Sequence, residues 1–114
     1  MPMIALTTTE KLTAEKEEAL QRGLGKAIAL LPGKSEAHLM ISLQGDVPMF
    51  FQGEKRCAAF LEVSCFGRSA MPEAYEKMTG ALCALLEKTL CVPPASTYVK
   101  YTESANWGWN GRNL

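Results

Sequence analysis

Apolar and polar residues alternate over Met3–Thr8, and this two-residue period predicts a first β-strand. The period then lengthens to that of a helix, which Thr13 is placed to cap and which Pro32 and Gly33 end. The apolar stripe of this helix consists of Leu20, Leu24, Ala27, Ile28 and Leu31. A second apolar run, His38–Leu43, predicts the next strand.

The same order of elements returns in the second half of the chain. Residues Ala59–Phe66 predict a strand, and Pro72 suits the first turn of a second helix. Its stripe consists of Tyr75, Met78, Leu82, Leu85, Leu86 and Leu90. A strand is predicted over Thr97–Thr102, and residues Glu103–Leu114 are predicted to form a loop with, at most, a short edge strand.

Two successive β-α-β units predict a single α+β domain over residues 1–114, with pseudo-repeats at about 1–56 and 57–114. The right-handed crossover makes the two long strands of each unit parallel neighbours and places both helices on one face of the sheet. The strands carry apolar residues on both faces, yet only two helices are predicted. Something must cover the second face, so the sequence indicates self-association.

Composition narrows the classes of partner and site. Twelve basic residues balance twelve acidic ones, so we expect neither nucleic acid nor an anionic membrane as a partner. No apolar run is long enough to span a bilayer and no secretory signal is visible. We therefore expect a cytoplasmic protein, with export without a signal peptide left open.

The four cysteines and the single histidine do not form a metal-binding pattern. No CxxC pair occurs, so no metal site is expected, and the thiols are expected to be free and buried in a reducing compartment. The cysteines are Cys57, Cys65, Cys83 and Cys91. Nucleotide and metalloprotease motifs are likewise missing, so the sequence predicts no cofactor.

Pro2 is the residue with the most distinctive potential chemistry. If Met1 is removed, Pro2 carries a free secondary amine, which can act as a base near neutral pH when it is buried beside a cation. If Met1 is retained, the same nitrogen is an inert amide. Removal is expected, because proline at the second position permits it.

Several short motifs occur together along the whole chain. They are Pro2-Met3, Gly33-Lys34, the segment with Asp46, Met49, Phe51 and Gly53, Phe66-Gly67, Tyr98-Val99-Lys100-Tyr101, and Ala105-Asn106-Trp107-Gly108-Trp109-Asn110. In this order they resemble the macrophage migration inhibitory factor (MIF) family of the tautomerase superfamily. The resemblance implies a four-stranded mixed sheet with two helices on one face, and a homotrimer with a site at each subunit interface. It further implies cofactor-free keto–enol tautomerisation of small aromatic α-keto acids such as phenylpyruvate, and of dopachrome-type compounds.

The resemblance also implies roles for individual residues. Pro2 is the acid and base, Lys34 pairs with the substrate carboxylate, and a backbone N–H near Phe66 holds a substrate oxygen. Tyr98 enters the site from a neighbouring subunit. Two of these residues have ordinary structural alternatives: Lys34 could complement the helix dipole, and Tyr98 could simply pack across strands.

The remaining candidates for substrate contact also have structural alternatives. Trp107 and Trp109 line a pocket or an interface, since exposed indoles in a polar tail are otherwise unfavourable. Met3 lies at the pocket floor or in the core. His38 stands where the family has a rim tyrosine, and Lys100 where the mammalian protein has asparagine; each is either a ligand contact or a solvated residue.

Other departures from the family pattern limit the functional prediction. The CxxC pair of the family is missing, since Cys57 is followed by Ala58, Ala59 and Phe60, and this argues against redox catalysis. The C-terminal aromatic residue of the family is absent, since the sequence ends Arg112-Asn113-Leu114, and Phe66 replaces a smaller residue and narrows the pocket. Two alternatives to the enzyme stay open: a cytokine-like module that binds a protein receptor with vestigial activity, and a metabolite-binding domain without turnover.

Overall fold

The computed structural model describes residues 1–114 and contains ten regular elements. In chain order they are β1 (Pro2–Thr8), α1 (Ala14–Ile28), β2 (Met40–Gln44), β3 (Phe50–Phe51), β4 (Glu54–Lys55), β5 (Ala59–Phe66), α2 (Pro72–Leu90), β6 (Thr97–Ser104), β7 (Gly108–Trp109) and β8 (Arg112–Asn113). Short 3₁₀ turns cover Glu36–His38 and Pro94–Ser96. The capping prediction is confirmed, because the Thr13 hydroxyl accepts a hydrogen bond from the Lys16 N–H at the start of α1.

One four-stranded mixed sheet, in the order β2-β1-β5-β6, organises the chain. Strands β1 and β2 are parallel, β5 and β6 are parallel, and the central pair β1–β5 is antiparallel. Each parallel pair is joined through one helix, so each half of the chain is a β-α-β unit, as predicted. The α+β fold class is therefore confirmed.

The core lies between the sheet and the two helices. Alternate residues of the central strands, such as Ile4 on β1 and Leu61 on β5, are fully buried against the helices. The predicted helix stripes supply the other side, although Tyr75 and Leu85 are only half-buried at its margin. Neither helix combines the length and hydropathy that crossing a membrane requires.

The opposite face of the sheet has no covering element. Met3, Met40 and Tyr98 fall on this face by strand alternation and register. Met40 and Tyr98 are 65% and 63% exposed, which is a large exposure for side chains of this size and apolar character. This uncovered face is the surface through which the sequence predicts self-association.

Two local predictions are wrong. His38 does not begin a strand but ends the 3₁₀ turn Glu36–His38, because the Leu39 N–H bonds to the Glu36 carbonyl at 3.1 Å and β2 starts only at Met40. Cys57 and Cys91 are exposed rather than buried, because each lies in a connection outside the regular elements; Cys65 is buried and Cys83 is half-buried.

The tail is more ordered than expected. Strand β6 continues to Ser104, and β7 and β8 pair as a hairpin around Asn110 and Gly111. Both turn residues have positive φ angles, 54° and 81°, which a type I′ turn requires and which Asn-Gly adopts readily. The Asn-Gly dipeptide was the signal that could have predicted this hairpin.

The end of α2 provides a test of backbone strain. Cys91 adopts a left-handed conformation (φ 58°), where its N–H bonds to the Glu87 carbonyl at 3.1 Å. Glycine occupies such positions without a steric penalty, so Cys91→Gly is expected to stabilise the fold by about 0.5–1 kcal/mol. Urea unfolding at one protein concentration measures the effect. Cys91→Ala, which removes the thiol but keeps the strain, is the control, and equal stability of the two variants would contradict the argument.

Candidate functional site

A cleft of about 710 Å³ opens at the end of the sheet where β1 begins, and it is the largest cavity of the chain. Three segments form its walls: the N-terminus, the 3₁₀ turn with the start of β2, and the tail. The lining residues are Met1, Pro2, Met3, Ala37, His38, Leu39, Met40, Trp107, Gly108 and Trp109. Seven of the ten are hydrophobic, so the cleft suits a ligand with an apolar body.

The wall that carries His38 is held by contacts with α1. The Gln21 side-chain amide donates to the Glu36 carboxylate at 3.0 Å. Gly25 leaves room for that carboxylate, since a β-carbon at this position would collide with it. The turn is thereby fixed against the helix, and His38 meets the ring of Trp109 edge-on across the cleft, with centroids 6.1 Å apart.

The opposite wall is the hairpin formed by the tail. The Leu114 N–H donates to the Trp107 carbonyl at 2.9 Å and closes this hairpin against the chain end. Trp107 is half-buried, whereas Trp109 is 53% exposed at the rim. The two indoles therefore line a pocket, as one of the sequence alternatives predicts.

Hydrogen bonds join Met1, Phe66 and Lys34 beside the cleft. Pro2 is buried and pairs with Cys65 across the central strands. The next residue, Phe66, donates its backbone N–H to the Met1 carbonyl at 3.0 Å. The Phe66 carbonyl in turn accepts a hydrogen bond from the Lys34 ammonium group at 2.7 Å. The first residues of the chain thus lie next to one cation and one backbone donor.

The surroundings of the N-terminus, beside Phe66 and Lys34, favour a neutral amine. Partial burial, and then the positive charge of Lys34, lower the pKa of the Met1 amino group below its usual value. Burial raises the pKa of the Cys65 thiol, so this neighbour stays uncharged near neutral pH. An amine placed here is unprotonated, and available as a base, at a lower pH than in water.

The contacts of Lys34 separate its two interpretations. Its ammonium group donates to the carbonyl of Phe66, the last residue of β5, and not to the last carbonyls of α1. The basic residue in the last turn of that helix is Lys26. The geometry therefore agrees with a role for Lys34 beside the cleft rather than at the helix end.

Tyr98 and Lys100 lie apart from the cleft within one chain. Tyr98 pairs with Phe60 of β5, five residues along that strand from Cys65, which corresponds to roughly 17 Å. Its ring packs edge-on against Phe51, with centroids 5.3 Å apart. Lys100 is exposed on the uncovered face, beside Glu62.

The structure accordingly sorts the predicted site residues into three sets. Pro2, Met3, His38, Trp107 and Trp109 line one cleft, Lys34 and Phe66 adjoin it, and Tyr98 and Lys100 are remote in the same chain. No three side chains of the histidine, cysteine or carboxylate type come together as a group that could hold a metal ion.

Sequence reasoning missed some of the residues around this site. Met40 lines the cleft because the parallel pairing of β1 and β2 sets it beside Met3, and that register was the available signal. The sequence predicts a loop from Glu103 onward, but Glu103 belongs to β6, where it pairs with Cys65. Its hydrogen-bond partner is Tyr75, for which the sequence predicts only a place in a helix stripe.

Comparison with known proteins gives a consistent result. The sequence model of the family described as "Macrophage migration inhibitory factor (MIF)" matches residues 1–114. MIF2 of Leishmania major is 29% identical, with a TM-score of 0.92 and coverage of 100% of this chain and 97% of that one. A MIF homologue from Prochlorococcus marinus is 28% identical, with a TM-score of 0.85 and coverage of 97% of both chains.

A more distant structure shares the fold alone. The protein Pt0534, whose crystal structure is described as inactivated by 2-oxo-3-pentynoate, is 22% identical, with a TM-score of 0.80. The match covers 96% of this chain and 93% of that one. Among curated proteins, no sequence matches this chain.

Proposed function

This chain belongs to the macrophage migration inhibitory factor family, and from that premise we propose that it is a cofactor-free tautomerase. Its substrates are phenylpyruvate-type α-keto acids, whose keto and enol forms it interconverts. The observation that carries this proposal is the corner at which the N-terminus, the Phe66 N–H and the Lys34 ammonium group converge beside an aromatic cleft.

The base in this proposal is the nitrogen of Pro2 after Met1 has been removed. Burial and the charge of Lys34 lower the pKa of the Met1 amino group, and the same two effects act on the Pro2 amine and favour its neutral, basic form. It removes a proton from the carbon next to the substrate carbonyl, and the electron pair of that C–H bond moves toward the carbonyl oxygen. The resulting ammonium form of Pro2 then delivers the proton to that oxygen, which gives the enol, and the reverse sequence gives the keto acid.

Removal of Met1 also frees a donor. The Phe66 N–H is occupied by the Met1 carbonyl at 3.0 Å, and this acceptor leaves with Met1. The N–H then bonds to a substrate oxygen at the same place, and Lys34 pairs with the carboxylate. Donors fixed in advance stabilise the negative charge that develops on the enolate.

The walls of the cleft account for the aromatic substrate. Trp107, Trp109 and His38 surround a space with a mostly hydrophobic lining, and Met3 forms its floor. A phenyl ring buried among such side chains gains the contact area that orients the reacting carbon toward Pro2.

The proposal includes a homotrimer with a site at each subunit interface. Tyr98 lies roughly 17 Å along the sheet from Pro2 and reaches a cleft only if a neighbouring subunit contributes it. Its exposure of 63%, and the absence of a covering element on that face of the sheet, support an assembly of this kind. Lys100, on the same face, is available there to strengthen anion binding.

A second candidate, a cytokine-like module that binds a protein receptor, is favoured by one observation. Met1, where present, lies in the cleft and takes the Phe66 donor, so that form has no free base and no free N–H. Receptor binding tolerates that state, whereas tautomerisation does not. The state of residue 1 therefore separates the two functions.

The test combines intact mass, a phenylpyruvate enol–keto assay and covalent labelling. We expect Met1 to be absent and phenylpyruvate to be turned over. We also expect 2-oxo-3-pentynoate, which adds amines to its conjugated triple bond and is described as inactivating a distant relative, to label the N-terminal residue once per chain. Protein produced with methionine aminopeptidase inhibited, so that Met1 is retained, is the control and should be inactive. A processed protein without turnover would contradict the tautomerase proposal and leave the receptor-binding alternative.

A further inference from the structure

Glu103 lies in the same row of the sheet as Pro2, two strands away. Pro2 on β1 pairs with Cys65 on β5, and Cys65 pairs with Glu103 on β6, so the three residues form one row across the sheet. All three fall on the helix side by strand alternation. Neighbouring strands are about 4.8 Å apart, which places the backbone of Glu103 about 10 Å from that of Pro2.

Aromatic side chains hold this carboxylate in place. The Tyr75 hydroxyl donates to the Glu103 carboxylate at 2.8 Å. The ring of Tyr75 stacks on Tyr101, with centroids 4.3 Å apart and planes 14° from parallel. The Tyr101 hydroxyl in turn donates to the Tyr75 carbonyl at 3.0 Å and lies 2.8 Å from the Thr79 hydroxyl. Glu103 thus has a fixed position, and it forms no salt bridge that would neutralise it.

We propose that Glu103 is a positioning residue of the tautomerase site, whose fixed negative charge offsets Lys34 at the Pro2 amine. The inference rests on the proposed function, because Glu103 can have this role only if the Pro2 amine is the base. The amine must give up a proton and also return one. A second charge of opposite sign keeps the ammonium form of Pro2 accessible at the pH where Lys34 alone would suppress it.

Titratable groups from several elements surround the Pro2 amine. They are Lys34 after α1, Cys65 on β5, Tyr75 on α2, Glu103 and Tyr101 on β6, and His38 at the cleft wall. Burial is the main cause of the raised pKa of the Cys65 thiol; Lys34 and the N-terminus act to lower that pKa, and Glu103 acts to raise it. The residue that pairs with Pro2 therefore lies in the fields of both charges.

Two substitutions separate the charge from the hydrogen bond. Glu103→Gln removes the charge, but its amide oxygen still accepts from Tyr75. Tyr75→Phe removes the hydrogen bond and leaves the charge. We expect Glu103→Gln to lower the pKa of the Pro2 amine by about half a unit, and Tyr75→Phe to leave it unchanged or raise it. If Glu103 had only a structural role, the pKa of the Pro2 amine would be the same in both variants as in the wild type.

The measurement is an NMR titration of processed protein labelled with ¹⁵N-proline, in parallel with the pH profile of phenylpyruvate turnover. Of the six prolines, only one at the N-terminus can titrate. The expected result is a lower Pro2 pKa in Glu103→Gln and the acidic limb of kcat/KM shifted with it.

The possible results have distinct meanings. The inference is overturned if the Pro2 pKa is unchanged in Glu103→Gln, or if it falls equally in Glu103→Gln and Tyr75→Phe. Either result leaves the proposed function intact. A shift without any turnover in the wild type sustains the electrostatic role and overturns the proposed function. If no proline titrates, both fail. Thermal unfolding of each variant confirms that the fold is retained.

Discussion

Pro2→Gly is expected to lower kcat/KM for phenylpyruvate tautomerisation by about 100-fold or more, because general-base catalysis by a positioned group is worth about 10²–10⁴. Glycine still provides an amine, but a primary one on a residue whose φ angle is free. The proline ring holds its nitrogen at a fixed angle in β1, next to Cys65 and within the field of Lys34. The loss should therefore appear mainly in kcat.

The experiment requires that both proteins begin at residue 2, which intact mass establishes. Lys26→Ala, which removes a cation at the end of α1 away from the cleft, is the control and should keep full activity. The Pro2→Gly protein should unfold at nearly the same temperature as the wild type. If its activity is unchanged, the proline mechanism is wrong.

The periodicity of the sequence was sufficient for the sheet and the helices because burial on one face leaves a direct signature. The alternation in β1 and the stripe of α1 up to Ile28 match the buried positions of the structure; Leu31, which the pattern places in the helix, is buried just beyond its end. The turn Glu36–His38 has no such signature. Its shape depends on a contact between Glu36 and Gln21 and on space above Gly25, and both are tertiary features.

The candidate site could be predicted only in part. The resemblance to the family supplied Pro2, Lys34 and Phe66, and the structure shows hydrogen bonds that join this corner. The hydrogen bond between Tyr75 and Glu103 was not predictable, because these residues are 28 positions apart and meet only through the packing of α2 on β6. Likewise, no sequence pattern shows that Tyr98 is remote from Pro2 in its own chain, since that distance follows from the register of β5 with both neighbours.

Mixing two inactive variants should restore activity if neighbouring subunits share each site. Pro2→Gly replaces the proline base with a poorly positioned primary amine, and Tyr98→Ala removes a side chain that is 63% exposed in the isolated chain and therefore lies outside the core. In randomly assembled trimers, about a quarter of the sites receive a native Pro2 from one subunit and a native Tyr98 from its neighbour. Activity should therefore rise to about a quarter of the wild-type value after the two proteins are unfolded and refolded together.

The matched control pairs Pro2→Gly with Lys34→Ala. The Lys34 ammonium group bonds to Phe66, whose N–H meets the first residue of the same chain, so Lys34 and Pro2 belong to one subunit's half of the site. No mixture of these two variants can assemble a complete site, and activity should stay low. Recovery in this control, or none in the Tyr98 mixture, would contradict a site completed by the neighbouring Tyr98. Recovery confined to the Tyr98 mixture would show that a second copy of the chain covers the uncovered face of the sheet and completes the site.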